Sequence, residues 1–135
     1  MLTGLSNISG GDAYIFGHSV VNEMHRIRPM MGVCPQHDVL YEKLTAREHL
    51  RLFAVLKGLE EENIDAEIRK LLEQTLLVDS ADVPSGMFSG GMKRRLSIAI
   101  ALIGDPKIIF LDEPTTGMVS SVKCKNGSLT SVLIL

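Results

Sequence analysis

The sequence predicts an α/β fold in which a helical section is inserted between two buried strands. Residues 30–34 and 108–111 are short apolar runs, ended by Pro35 and by the acidic pair Asp112-Glu113, and such runs are typical of buried strands. The chain between them carries the start and stop signals of three helices. Strand, helices and strand in this order indicate an α/β domain with a parallel sheet.

The sequence of the N-terminal part predicts a short strand and a short helix. Residues 13–16 form a strand candidate that is closed by Gly17. Ser19 is a candidate N-cap for a short helix that continues to Arg28, because the following proline cannot extend it. We therefore expect one strand and one helix before the first buried strand.

Three longer helices are predicted in the middle of the chain. Thr45 and Glu48 form a capping box, and the helix that they open runs to Lys57, before Gly58. A second helix is expected over residues 63–77, followed by a loop at residues 79–88. Its apolar stripe has helical spacing and consists of Ile64, Ile68, Leu71, Leu72 and Thr75.

The third helix is expected to begin near Gly90 and to continue to Ile103. Gly104 and Pro106 then act as stop signals before the second buried strand.

Composition sets broad limits on function. The chain has 135 residues, of which 45% are hydrophobic and 22% charged, with a net charge of −2, as expected of one globular domain. It has no strong basic excess that would indicate nucleic acid, and no apolar run approaches the ~20 residues that span a bilayer. The cysteines and histidines show no zinc-type spacing, so structural or surface roles are expected for His18, His25, His37 and His49.

The acidic pair Asp112-Glu113 is the first candidate for chemistry. In open α/β sheets, ligands bind beyond the carboxyl ends of parallel strands. Adjacent residues that leave a strand point in different directions, so one carboxylate can hold Mg²⁺ while the other polarises a water molecule. The alternative is a solvated strand end with a helix-capping acid.

The stretch Ser89-Gly90-Gly91-Met92 is the second candidate. Two glycines before a helix allow the backbone to approach a ligand, and free N–H groups at the helix start suit a phosphate. Three cations follow, residues 93–95, and they oppose the helix dipole, a cost that a bound anion would relieve. The alternative is a flexible loop before a basic surface turn.

Gln36 is the third candidate. A polar side chain that leaves a strand at a proline break could ligate Mg²⁺ or orient a water molecule. The alternative is a plain exit from strand to loop.

In chain order, the three stretches resemble the nucleotide-binding domain of ATP-binding cassette (ABC) proteins: Gln36 after a strand, then a helical section, then Ser89–Met92 and the pair Asp112-Glu113. Residues 88–92, FSGGM, resemble the signature motif LSGGQ, and residues 108–112 resemble the Walker B strand. Gln36 matches the Q-loop glutamine, and Glu113 matches the catalytic glutamate.

The resemblance covers residues 1–118 and extends to a subfamily. Residues 32–58, together with SGGMKRRLS, resemble the A subfamily of ABC transporters. Members of that subfamily are large membrane proteins that are often associated with the movement of lipids or sterols.

The resemblance implies a partial P-loop NTPase-like ABC ATPase domain over residues 1–118. An inserted helical (signature) subdomain would occupy about residues 42–100, and residues 119–135 would form a divergent tail. The implied ligands are ATP and Mg²⁺. The implied roles are catalytic for Glu113 and Gln36, nucleotide-binding for Ser89, Gly90, Gly91 and Met92, and in the Mg²⁺ shell for Asp112 and Gln36.

The resemblance also implies partners and a location. A second nucleotide-binding domain and transmembrane domains would be the protein partners, and a lipid-like substrate would be bound through the parent protein, with no nucleic acid. The domain would lie at the cytoplasmic face of a membrane, as part of an integral membrane transporter. This chain itself would contain no transmembrane segment.

Two features depart from the family pattern. The phosphate loop G-x-x-x-x-G-K-[ST] would precede Met1 and does not occur in the sequence, and no D-loop aspartate or switch histidine follows Met118. We therefore expect the middle of a nucleotide-binding domain, followed by a tail of out-of-frame or intron origin. Without the phosphate-loop strand, residues 107–111 are expected to have an open edge and the chain to fold only marginally.

Three functions are compatible with these features. The first is the ATPase domain of a lipid-type exporter, present as a fragment that is not catalytic alone. The second is a non-enzymatic partner that docks its signature motif on a complete cassette domain. The third, a soluble cassette ATPase of translation or DNA repair, is disfavoured by the A-like residues 32–58 and by the absence of a basic excess.

Overall fold

A β-hairpin and a single helical turn form the N-terminal part of the described chain. The computed structural model describes residues 12–35 and 39–110 in full and, for their backbone, Leu111 and residues 131–134. Strands β1 (Tyr14–Ile15) and β2 (His18–Ser19) pair antiparallel, and helix α1 (Met24–Ile27) follows.

The hairpin corrects the prediction for this region. Ser19 lies in β2 and caps no helix; its Oγ accepts a hydrogen bond from the N–H of Asn22 (3.1 Å) and donates one to Asp12 (2.6 Å). The short helix expected to run from Ser19 to Arg28 is a four-residue helix followed by a 3₁₀ turn, Arg28–Met30.

A parallel sheet of three strands lies at the centre of the described chain. Strands β3 (Met31–Cys34) and β4 (Ile108–Leu111) are adjacent and parallel, as predicted, and Cys34 lies opposite Leu111. Strand β5 (Ser131–Ile134) pairs parallel with the other edge of β4. The expected open edge at β4 is therefore wrong: the C-terminal tail supplies the missing neighbour.

Three helices lie between β3 and β4 in the chain. They are α2 (Ala46–Leu56), α3 (Glu61–Gln74) and α4 (Gly90–Leu102), each close to its predicted range. Two 3₁₀ turns, Val78–Ser80 and Ser85–Met87, interrupt the predicted loop before α4.

Local sequence signals explain the helix ends. Thr45 Oγ1 accepts from the N–H of Glu48, and the Glu48 carboxylate accepts from the N–H of Thr45, which completes the predicted capping box of α2. Helix α3 ends earlier than predicted, because Thr75 and Leu76 turn the chain and Leu76 has a φ of 55°.

The core has two parts, one on each face of the sheet. Ile109 belongs to a cluster built mainly from α2, α3 and α4, whereas its neighbours Ile108 and Phe110 pack against residues of the N-terminal part. This alternation along β4 covers both faces of the sheet, as predicted for a central parallel strand. The predicted stripe of α3 is buried throughout: Ile64, Ile68, Leu71, Leu72 and Thr75.

Within the described ranges, no helix has the length and apolar composition that crossing a membrane requires.

Candidate nucleotide-binding site

The signature stretch is a well-formed helix start. Ser89 is the N-cap of α4, and its Oγ accepts a hydrogen bond from the N–H of Met92 (3.3 Å). Phe88, the preceding residue, is buried in the helical core and anchors the chain there. Helix geometry leaves the N–H groups of Gly90 and Gly91 without an intrahelical acceptor, and both residues are exposed. Helix geometry therefore allows this end of α4 to offer backbone donors to a ligand.

Gly90 has space around it that the described residues do not fill. A Cβ atom built on Gly90 would meet nothing within 4 Å. Glycine also costs about 1 kcal/mol relative to alanine within a helix. Packing among the described residues therefore gives no reason for glycine here, and the approach of a ligand to this backbone stays a prediction.

Two of the three cations after the glycines bind backbone carbonyls of neighbouring segments. Arg94 Nη1 donates to the carbonyl oxygen of Pro35 (2.6 Å), and Arg95 Nη1 donates to those of Thr75 (3.4 Å) and Leu76 (3.2 Å). Arg95 thereby caps the C-terminus of α3. These contacts within the fold offset the unfavourable interaction of the two arginines with the helix dipole. A bound anion, as expected from the sequence, is therefore not required to explain either arginine.

The carboxyl ends of strands β3 and β4 lie side by side. The parallel register that pairs Cys34 with Leu111 brings the chain out of both strands at one level. Gln36 follows the first strand by two residues, and Asp112 and Glu113 follow the second directly. These three predicted site residues themselves lie outside the described residues, so their side-chain roles stay predictions.

The four histidines show no metal site where the structure describes them. No group of three or more His, Cys, Asp or Glu residues within the described ranges could hold a metal ion. His49 is fully buried: its Nε2 accepts from the N–H of Tyr41 (2.9 Å), and its Nδ1 donates to the carbonyl of Thr45 (2.8 Å). His49 therefore has a structural role, as predicted, because both of its ring nitrogens bond backbone groups of neighbouring residues.

Residues without a signal in the sequence join the stretch after Gln36 to the stretch before Ser89. Ser85 is 1% exposed, and its Oγ donates to the carbonyl of Tyr41 (3.0 Å), while its N–H donates to that of Leu44 (2.9 Å). Serine before a glycine indicates only a turn, and no local signal names a partner so distant along the chain.

Comparison with known proteins agrees with this architecture. A family model described as "ABC transporter" matches residues 1–116. ABC transporter A family member 9 of Arabidopsis thaliana is 56% identical over 119 residues, which cover 87% of this chain and 12% of the relative. ATP-binding cassette sub-family A member 2 of Homo sapiens is 50% identical over 118 residues, 87% of this chain and 5% of the relative. The chain thus spans a small part of these relatives.

Solved structures have the same fold. An ATP-binding subunit of an ABC transporter superposes with a TM-score of 0.71 at 31% identity, over 85% of this chain and 48% of that one. A dimeric ATP-binding cassette in a post-hydrolysis state with ADP and Pi gives a TM-score of 0.77 at 23% identity, over 98% and 65%. Both are α/β P-loop NTPase-like domains, as predicted here. The chain therefore belongs to the ABC transporter family and corresponds to part of an A-subfamily ATP-binding domain.

Proposed function

We propose that this chain supplies the signature and Walker B parts of an ATP-hydrolysing domain in an A-subfamily transporter. The start of α4 carries this proposal. Ser89 caps the helix, and no described residue would lie within 4 Å of a Cβ atom at Gly90. Donors arranged in this way suit a phosphate group.

Ser89, Gly90, Gly91 and Met92 would then clasp the γ-phosphate of an ATP held by a second nucleotide-binding domain. A relative of known structure is a dimer with bound ADP and Pi, which supports this arrangement for the family fold. In this arrangement the second domain provides the phosphate loop that holds the nucleotide, and this chain provides the signature donors.

Asp112, Glu113 and Gln36 would provide the chemistry at the sheet edge. Carboxylate and amide oxygens are hard ligands that suit Mg²⁺, and both strands that lead to these residues end at one edge. Asp112 and Gln36 would hold the metal shell, and Gln36 would also contact the water molecule. Glu113 would polarise the water molecule that attacks the terminal phosphate. Bound Mg²⁺ would neutralise developing phosphate charge.

The wider role follows from the subfamily. We propose that the domain lies at the cytoplasmic face of a membrane, works with transmembrane domains, and couples hydrolysis to export or flipping of a lipid-like substrate. The similarity to A-family transporters over 87% of the chain supports this role.

The variant Glu113→Gln tests the catalytic assignment in the native protein that carries this sequence. Removal of a general base should lower ATP hydrolysis by about 100-fold or more, because base catalysis contributes factors of that size. Binding of a fluorescent ATP analogue should change by less than about twofold, since ATP contacts remain. Phosphate release measures the first quantity and analogue titration the second.

A wild-type hydrolysis rate in Glu113→Gln would contradict the proposal.

The same assays on the 135-residue chain alone separate the second candidate, a non-enzymatic docking partner. The exposed start of α4, formed by contacts within the described chain, favours that candidate as the alternative. ATP-dependent binding of the chain to a complete cassette domain, without hydrolysis by the chain, would support docking.

A further inference from the structure

The residues just before the signature stretch are fixed to the turn that precedes helix α2. We call residues 41–44 the anchoring turn and residues 84–88 the pre-signature turn, and the structure describes all of them. Ser85 and Tyr41 are 44 positions apart in the chain, yet backbone and side-chain hydrogen bonds join the two turns.

Ser85 lies at the centre of this attachment. Its N–H donates to the carbonyl of Leu44 (2.9 Å), and its Oγ donates to that of Tyr41 (3.0 Å). The N–H of Gly86 adds a bond to the carbonyl of Glu42 (2.9 Å). Because Ser85 is only 1% exposed, solvent does not compete for its hydroxyl group. The two turns are therefore joined along their length.

The anchoring turn is itself held at the start of α2. The N–H of Tyr41 donates to Nε2 of the buried His49 (2.9 Å), and the N–H of Leu44 donates to the carbonyl of Tyr41 (2.9 Å). Nδ1 of His49 bonds the carbonyl of Thr45 (2.8 Å), the N-cap of α2. A displacement of this turn would therefore require these contacts with α2 to break.

The pre-signature turn leads directly into the predicted phosphate-binding residues. The N–H of Phe88 donates to the carbonyl of Ser85 (3.1 Å), and the Phe88 side chain is buried in the helical core. Ser89 follows at once as the N-cap of α4 and accepts from the N–H of Met92. A continuous series of contacts thus runs from the start of α2 through Ser85 to the first turn of α4.

We propose that Ser85 is a positioning residue that sets the place of the signature helix start relative to α2. Correct placement lets the donors of residues 89–92 meet the terminal phosphate that a second domain holds. The inference rests on the proposed function, because that function assigns these donors to the nucleotide. Ser85 is itself buried and acts through Phe88 and Ser89, not on the nucleotide.

Steady-state ATP hydrolysis by the native protein carrying Ser85→Ala is the first test. Misplacement of a positioned group by about 1 Å can cost about 100-fold in rate, so we expect kcat to fall by about 10-fold or more. The KM for ATP should stay within about twofold, because the phosphate loop of the second domain supplies the main grip on the nucleotide. The Tyr41 carbonyl keeps its bond from the N–H of Leu44, so the fold should be retained.

Thr75→Val is the matched control. Thr75 is also buried, and its Oγ1 donates to the carbonyl of Leu71 (2.8 Å), which keeps a bond from the N–H of Thr75 (3.0 Å). Each variant removes one buried hydroxyl-to-carbonyl bond, so both should lower the melting temperature similarly, by less than about 5 °C. Only Ser85→Ala should lower kcat. Equal losses of kcat in both variants, or a wild-type kcat in Ser85→Ala, would overturn the inference.

Gly86→Ala changes the same attachment without removing a buried group. A Cβ atom at Gly86 would lie 3.0 Å from the carbonyl oxygen of Glu42 and 3.2 Å from its Cβ atom, so the two turns would have to move apart. We expect a fall in kcat with little change in KM, as for Ser85→Ala. A wild-type kcat in Gly86→Ala would contradict the positioning role.

Amide hydrogen exchange gives a readout apart from activity. Mg²⁺ with a non-hydrolysable ATP analogue should slow exchange in residues 89–95 of the wild type and of Thr75→Val, and this slowing should be lost in Ser85→Ala. Full slowing in Ser85→Ala would overturn the inference. If the analogue slows exchange in these residues in none of the proteins, the wild type included, the proposed function fails instead, so the two failures are distinguishable.

Discussion

Lys57 connects the end of α2 with the end of α4. Its Nζ donates to the carbonyl of Ile103 (2.8 Å) and, at longer range, to that of Ala101 (3.5 Å). A cation at a helix C-terminus is favourable, because it satisfies carbonyls that have no intrahelical donor. Partial burial lowers the pKa of Lys57, and the charge of Glu67 partly opposes that shift.

Lys57→Met should lower the free energy of unfolding by about 1–3 kcal/mol, since it keeps the apolar stem but leaves two part-buried carbonyls without this donor. Urea denaturation at neutral pH measures the change. Lys43→Met, at an exposed position, is the control and should have little effect.

The pH dependence gives a second readout for Lys57. The folded pKa lies below the ordinary value of 10.5, so the unfolded state binds more protons in the alkaline range just below 10.5. The contribution of Lys57 to stability should therefore rise with pH in that window, and Lys57→Met should lack the rise. Equal stability of Lys57→Met and the wild type at every pH would contradict the assigned role.

Residues whose partners are close in the sequence could be predicted, and residues with distant partners could not. Thr45 and Ser89 bond N–H groups three residues ahead, so their caps follow from spacing alone. Arg94 and Lys57 reach carbonyls 59 and 46 residues away. Their sequence neighbourhoods show only a basic turn and a helix end.

At the scale of elements, the long helices were predictable because each has a cap and a periodic apolar face. The β1–β2 hairpin was not, because its two-residue turn is Phe16-Gly17 with φ of 50° and 82°. Such turns favour Asn, Asp or Gly at the first position, so a phenylalanine there gives no indication of a hairpin turn. The Ser19 hydroxyl then serves the hairpin and the following turn, where the sequence had indicated a helix cap.

Strand β3 packs closely against α4 because residue 32 is glycine and has no side chain. A Cβ atom at Gly32 would lie 2.2 Å from the carbonyl oxygen of Ala101, which is backbone and cannot rotate away. Gly32→Ala should therefore destabilise the chain by about 3 kcal/mol, as overpacking in a core does. Thermal unfolding followed by circular dichroism measures this loss.

Gly90→Ala is the matched control for Gly32→Ala. A Cβ atom there meets nothing within 4 Å, so stability should be unchanged or raised by up to about 1 kcal/mol. Equal destabilisation by the two variants would show that the close approach of β3 and α4 is not the cause.

At the scale of the whole molecule, the tail completes the sheet. The sequence placed an open edge at β4, because the family's phosphate-loop strand is not in the chain, and the tail showed only a small β-prone apolar end. Pairing of residues 131–134 with β4 joins segments separated by residues 112–130, and no local signal in the sequence names a partner so distant along the chain. A three-stranded sheet covered on both faces can be stable, whereas a two-stranded one is marginal. That the whole chain folds only marginally stays a prediction.

Deletion of residues 131–135 tests the contribution of β5. Without it, the backbone of β4 loses its ladder on one side, and we expect a loss of at least about 2 kcal/mol in the free energy of unfolding. The amides of residues 108–111 should exchange faster, and the exposed apolar edge should promote aggregation. Native-state hydrogen exchange and light scattering measure the two effects.

Deletion of Leu135 alone is the control, because the paired range ends at Ile134. If amide protection in β4 is the same with and without residues 131–135, β5 does not stabilise the sheet, and the open edge expected from the sequence would be correct.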